Sequence, residues 1–148
     1  MKKKYVAIGF ILILLGSILL LGINKSNEIK EDVALRKIIM ETVKKSNEID
    51  FAKITNFQWD TMYVFTPYLQ PKDILEEDGI STYNSDFNIE YLDSINMIGF
   101  VNSNKLVGFV ELPRIYGEFD LTNVIKFSKE ETKFNILQGK EEIIFQKN

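Results

Sequence analysis

Hydrophobic residues follow three different patterns along this chain, and the first is an uncharged run behind three lysines. The run covers 19 residues, 5–23. As a helix it would span about 28 Å, close to the thickness of a bilayer core. This run is longer than the apolar segment of a cleaved signal peptide, and no small-x-small cleavage site follows it. It therefore predicts a transmembrane signal anchor at 5–23, a cytoplasmic tail at 1–4 and an extracytoplasmic domain at 24–148 of a single-pass cell-membrane protein.

The second pattern is helical. Between Leu35 and Val43, apolar residues recur at i, i+3, i+4, i+7 and i+8, which predicts an amphipathic helix over residues 28–46. Acidic residues in its first turn and lysines at its end suit the helix macrodipole. A shorter helix is predicted over residues 71–78, with a proline at its first position and Gly79 just past its end.

The third pattern is that of β-strands. Residues 95–101 and 105–112 are apolar on both faces and flank an Asn-Ser-Asn turn, so they predict a hairpin of two central strands. Further strands and short extended pieces are expected at 123–127, 132–137, 141–145, 54–57 and 62–65.

One long helix followed by strands predicts an α+β fold, with the helix packed on an antiparallel β-sheet meander. The apolar face of the helix needs an apolar partner, so residues 95–145 should form one sheet that packs against this face. The side chains expected to be buried by this packing are Leu35, Ile39, Met97, Phe109 and Val110.

Composition narrows the chemistry. The chain has 18 basic and 21 acidic residues and no histidine or cysteine. Beyond residue 23 the balance is 15 basic against 21 acidic, a net charge of −6 that disfavours nucleic-acid binding. Without these two residue types, histidine-dependent triads and disulfides cannot be built, and a zinc site loses both of its preferred ligands. We therefore predict no cofactor and no metal.

An aromatic run holds the only tryptophan, with two phenylalanines and two tyrosines, between Phe57 and Tyr68. Its pattern is W-D-x-x-Y-x-F-x-P-Y. Over Phe57 to Leu75 the chain resembles a group of uncharacterised small exported or membrane-anchored proteins of Gram-positive bacteria, which share this signature after an N-terminal helix. The resemblance implies a general layout and supplies no catalytic residues.

The aromatic run has two readings. As a binding surface, Trp59, Asp60, Tyr63 and Tyr68 would be its contact residues, because aromatic side chains offer large contact areas at low entropy cost. As structure, Trp59 would be core and Asp60 would accept backbone N–H bonds that hold a turn. We expect the structural reading for Trp59 and Asp60.

Acidic residues give weaker signals. Residues 86–90 resemble the start of a calcium loop, but Tyr91 and Met97 stand where it needs glycine and glutamate. They are then a solvated loop or a partner-binding acidic patch. A glycosidase would need two carboxylates. Glu111 is the most distinctive of the acidic residues, because an acid on an apolar strand would suit the role of general acid. The candidates for such a pair are Asp60, Asp73, Glu111, Glu118 and Asp120.

Taken together, the patterns favour a membrane-anchored extracytoplasmic domain that binds protein and is not an enzyme. It would act as an inhibitor, an immunity factor or an accessory subunit. Its expected partners are the lipid bilayer, through residues 5–23, and an envelope protein, with no nucleic acid. The alternatives are a small-ligand sensor domain and a carboxylate-dependent cell-wall hydrolase.

Overall fold

The computed structural model describes residues 28–83, 85–120, 125–140 and 142–147. Short 3-10 turns lie at Asn88–Glu90, Arg114–Tyr116 and Lys129–Glu131. The helices are α1 (Val33–Lys45), α2 (Phe51–Ile54) and α3 (Pro71–Glu77), and the strands are β1 (Glu48–Asp50), β2 (Thr61–Phe65), β3 (Ile95–Asn102), β4 (Lys105–Pro113), β5 (Glu118–Phe119), β6 (Lys126–Ser128), β7 (Lys133–Gln138) and β8 (Ile143–Lys147).

The strands form two sheets of four. The first has the order β4-β3-β2-β6 and is antiparallel throughout. The second has the order β1-β7-β8-β5, in which β5 and β8 run parallel. The chain is therefore α+β, but the prediction of a single antiparallel meander under one long helix is wrong. Local strand patterns do not encode which strands pair, and here the strands after residue 95 divide between two sheets.

Between the two sheets lies a core centred on Phe51. Its ring lies about edge-on to Phe134 and Phe145, with centroids 6.0 and 6.4 Å away. Helix α1 contacts β4 of the first sheet and β1 of the second, so it closes this core from one side. All five side chains expected to be buried are buried: Leu35, Ile39, Met97, Phe109 and Val110.

The first sheet buries its other face as well, as its apolar strands predict. Phe65, Met97 and Phe109 pack there against Leu75 of α3 and Phe87 of the following loop. The predicted hairpin is confirmed, and its turn residues Ser103 and Asn104 have φ of 50° and 62°, as two-residue hairpin turns require.

Strand β4 lies at the edge of this sheet rather than in its centre, which corrects the prediction of two central strands. Its free edge is nevertheless occupied. The Asp32 amide donates to the Phe109 carbonyl (2.8 Å), and the Leu106 amide donates to the Ser81 carbonyl (3.0 Å). The Glu111 amide donates to a Glu31 carboxylate oxygen (3.2 Å). A covered edge explains why an edge strand can be apolar on both faces.

Two further local predictions need correction. Helix α1 begins at Val33 and not at residue 28, because the Asp32 side chain accepts a bond from the Leu35 amide (2.8 Å) and acts as the N-cap. Residues 51–54 are helical where an extended piece was predicted to begin at residue 54, since Asp50 caps the Ala52 amide (3.1 Å) in the same way.

The membrane prediction also needs correction. The span predicted at residues 5–23 lies outside the described residues. Among those that are described, no helix is long and apolar enough to cross a membrane. The longest of them, α1, has 13 residues, about 20 Å against a bilayer core of about 30 Å. The predicted single-pass location in the cell membrane, with a cytoplasmic N-terminus and an extracytoplasmic domain, is therefore not supported by the described residues.

Candidate binding cleft

Tyr68 projects into solvent from a tight turn. The Leu69 amide donates to the Thr66 carbonyl (3.2 Å), which closes a four-residue turn with Pro67 at its second position. Tyr68 is at the third position with φ of 74°. This geometry is a type II turn, where glycine or asparagine is the usual residue. Tyrosine in the left-handed region is uncommon and costs about 1–2 kcal/mol. The residue is nevertheless 87% exposed, so no burial compensates for this cost.

A second tyrosine is presented by the loop before β3. Phe87 and Ile89 are buried in the core and anchor this loop. Between them, Asn88 donates through its backbone N (2.5 Å) and its Nδ2 (2.6 Å) to the two carboxylate oxygens of Glu111. The chain then turns outward, so that Tyr91 is 84% exposed and Leu92 is 47% exposed.

The two tyrosines line one cleft, which we call the tyrosine cleft. Its volume is about 470 Å³. Its floor contains the buried Ile89, and its walls carry aromatic, aliphatic and carboxylate groups. The lining residues are Tyr68, Gln70, Ile89, Glu90, Tyr91, Leu92 and Asp93.

The tyrosine cleft is acidic. Glu90 and Asp93 line it, and among the described residues no lysine or arginine does. Arg114 comes near, since its Nη1 donates to the Asp93 carbonyl (3.1 Å). Its charge, however, is already paired with the Glu118 carboxylate through Nε. The carboxylates of the cleft are therefore not neutralised by this guanidinium.

Trp59 belongs to the core, as the structural reading predicted. It is only 4% exposed, and its ring lies 5.1 Å from that of Phe100 at a steep angle. Its Nε1 donates to the Thr55 hydroxyl (2.7 Å), which satisfies its polar atom. It cannot be a contact residue for a partner without unfolding this region.

Asp60 holds a turn, also as predicted. Its Oδ2 accepts from the Ser103 amide (2.9 Å), and its Oδ1 accepts from the Thr61 hydroxyl (2.8 Å). The first of these bonds ties the start of β2 to the β3–β4 turn. Asp60 is exposed, so it remains accessible while it does this.

Tyr63 is buried and joins a polar cluster with Asp78 and Lys126. Its hydroxyl donates to Asp78 Oδ2 (2.5 Å), to which Lys126 Nζ also donates (3.0 Å). The Lys126 ammonium lies 5.2 Å from the centre of the Tyr63 ring. Asp78 is positioned by the end of α3, where Gly79 (φ 73°) and Ile80 donate to the Glu76 and Leu75 carbonyls.

These contacts shift three pKa values. Burial, and then the bond to Asp78, raises the pKa of the Tyr63 phenol above its ordinary value of 10.0. The bonds from Tyr63 and Lys126 lower the pKa of Asp78 below 3.8. Contact with Tyr63 and Asp78 raises the pKa of Lys126 above 10.5. At neutral pH the phenol and the ammonium both keep their protons, so neither is a nucleophile.

The structure thus divides the four predicted contact residues among three places. Tyr68 lines the tyrosine cleft, and Trp59 lies in the core. Asp60 and Tyr63 line a smaller cleft of about 100 Å³, together with Asp78 and Lys126. Tyr91, which sequence reasoning missed, is the residue that the structure brings to Tyr68.

The predicted carboxylate candidates are mostly engaged in holding the fold. Both oxygens of Glu111 are bound by Asn88, and Glu118 pairs with Arg114 and accepts from Asn96 Nδ2 (3.2 Å). Asp73 lies in the first turn of α3, where an acid suits the helix dipole. Asp120 is exposed just after β5.

Comparisons with protein-family models, with curated proteins and with solved structures find no match for this chain.

Proposed function

We propose that this chain is a non-enzymatic protein-binding domain that docks a segment of a partner protein in the tyrosine cleft. The observation that carries the proposal is Tyr68. It holds a backbone conformation that favours glycine, and the residue is 87% exposed. A residue that costs stability and gains no packing is explained when the side chain serves contact with another molecule.

The rest of the tyrosine cleft supports a docking role. Tyrosine offers a large, rigid contact area with a polar tip, which makes it a frequent anchor of protein interfaces. The loop that carries Tyr91 is held in place, because Phe87 and Ile89 are buried and Glu111 binds the intervening Asn88. A surface ordered before binding loses less conformational entropy when the partner arrives.

A small ligand is the second candidate, since about 470 Å³ lies within the range of ligand pockets. The exposure of the walls favours a protein segment instead. Small-molecule sites bury most of their ligand, whereas Tyr68 and Tyr91 stand 87% and 84% in solvent. An extended segment can lie across such walls and bury both rings.

Catalysis receives little support from the carboxylates that could perform it. Glu111, the acid on an apolar strand, is 4% exposed, and Asn88 binds both of its oxygens. Glu118 is paired with Arg114. The bonds of both side chains already serve the fold, which favours a binding role over a hydrolase.

Site-specific photo-crosslinking tests the proposal. A photo-reactive phenylalanine analogue replaces Tyr68 or Tyr91 in the full chain, produced in its own organism. The matched control replaces Ile38, which is 45% exposed on α1. We expect both cleft positions to capture the same protein and the control position not to capture it. Absence of protein adducts at both cleft positions, or equal capture from position 38, would contradict the proposed function.

A further inference from the structure

The net negative charge of the domain comes from the stretch of chain that also supplies the tyrosine cleft. Residues 60–93 contain eight acidic residues and one basic residue, Lys72. Residues 24–59 contain six acidic and seven basic residues, and residues 94–148 contain seven of each. The segment that supplies every lining residue of the tyrosine cleft is therefore the segment that makes the domain acidic.

From this distribution we infer that the partner segment docking in the tyrosine cleft is cationic, with lysine or arginine side chains that contact Tyr68 and Tyr91. The inference rests on the proposed function and adds the chemistry of the partner. A stretch of basic protein chain is the occupant to which we commit.

The contacts available in the tyrosine cleft suit such side chains. Tyrosine rings attract ammonium and guanidinium groups placed over their faces. Glu90 and Asp93 supply carboxylates beside the two rings, and arginine can bind a carboxylate through two parallel bonds. An acidic segment would instead meet these carboxylates with like charge, which disfavours its docking.

The surrounding charge would act before contact is made. Asp73, Glu76 and Glu77 are exposed on α3, which begins one residue after Gln70 of the cleft, and Asp86 is exposed on the Tyr91 loop. Negative charge at and near a binding site attracts an oppositely charged partner and raises its association rate, an effect that salt screens. Binding should therefore depend on ionic strength.

Three labelled peptides of equal length test this inference with the full chain. Each has a Gly-Ser backbone with arginine, glutamine or glutamate at alternate positions, and binding is followed by fluorescence anisotropy. We expect the arginine peptide to bind, and the glutamine and glutamate peptides to bind at least about tenfold more weakly. Raising the salt from about 0.01 M to about 1 M should remove most of this difference.

Variants locate the binding. Glu90→Gln and Asp93→Asn should each weaken the arginine peptide about 1.5- to 5-fold, as the loss of an exposed ion pair does. Tyr68→Gly should weaken it by about tenfold. Glu130→Gln is the matched control, since it removes one charge from an exposed residue of the 3-10 turn before β7, and should leave binding unchanged.

Two results would overturn the cationic partner. One is that none of the peptides binds, or that all three bind equally. The other is that the cleft variants and Glu130→Gln affect the arginine peptide alike, since attraction would then be a property of the whole acidic protein. In either case, protein capture from positions 68 and 91 decides separately whether the proposed function stands.

Discussion

Glu111 and Asn88 are joined by two hydrogen bonds, which tie the loop that carries Tyr91 to β4. One carboxylate oxygen of Glu111 accepts from the Asn88 backbone N (2.5 Å), and the other accepts from its side-chain Nδ2 (2.6 Å). Glu111 belongs to β4, whereas Asn88 begins the 3-10 turn that leads to Tyr91. A nearly buried acid on an apolar strand therefore has a structural task, which is to fix the loop that presents Tyr91.

We expect Glu111→Gln to cost about 1–3 kcal/mol of unfolding free energy, because an amide cannot accept both bonds and leaves a donor of Asn88 unpaired. Urea unfolding measures this loss. Hydrogen exchange at the Asn88 amide should also speed up, since that amide donates to Glu111 in the native protein. Glu130→Gln, on an exposed side chain, should stay within about 0.5 kcal/mol. Unchanged exchange at Asn88 would show that the loop is held in another way.

Replacing Trp59 tests its place in the core. Trp59→Ala should cost about 3–5 kcal/mol, because it leaves a large cavity beside Phe100, and this is a large share of the stability of a domain. Thermal unfolding of the purified protein gives the answer. Native-like stability of the variant would mean that the tryptophan is a surface residue, and the core described for this region would be wrong.

The cluster of Tyr63, Asp78 and Lys126 predicts a pH dependence on the acid side. The pKa of Asp78 is lowered in the folded protein by the bonds from Tyr63 and Lys126. Its contribution to stability is therefore present above the ordinary value of 3.8 and is lost as the pH falls through the lowered value. At neutral pH the native protein should have a higher melting temperature than the Asp78→Asn variant. The two melting temperatures should converge at low pH. A constant difference at all pH values would refute this linkage.

The sequence predicts local elements well and their assembly poorly. The hairpin over β3 and β4 follows from alternation and from the Asn-Ser-Asn turn, and α3 follows from Pro71 and Gly79. The start of α1 is misplaced because acidic residues suit both a first helical turn and an N-cap, and only Asp32 performs the second role. The two-sheet arrangement depends on long-range pairing, such as β1 with β7, which no local pattern specifies.

The candidate site was predicted in part. Tyr68 is visible in the sequence as the end of the aromatic signature, although its exposure depends on the type II turn around it. Tyr91 was missed because residues 86–90, directly before it, predict a solvated acidic loop. A signal was present: Phe87 and Ile89 alternate with polar residues, and the side chains of both are buried. Ile89 is buried and Tyr91 is exposed, and the 3-10 turn Asn88–Glu90 interrupts the alternation between them.

The central claim is that Tyr68 is present for binding and not for stability, and Tyr68→Gly tests it most directly. Glycine relieves about 1–2 kcal/mol of left-handed strain, while its greater freedom in the unfolded chain costs about 0.5–1 kcal/mol. The variant should therefore be as stable as the native protein, or up to about 1.5 kcal/mol more stable.

The measurement combines urea unfolding of Tyr68→Gly with partner capture by a photo-reactive group at position 91 in the same variant. We predict unfolding free energy that is unchanged or higher, together with loss of most of the captured protein. A variant that is less stable by more than about 1 kcal/mol, or one that captures its partner from position 91 as efficiently as the native chain, would contradict the claim.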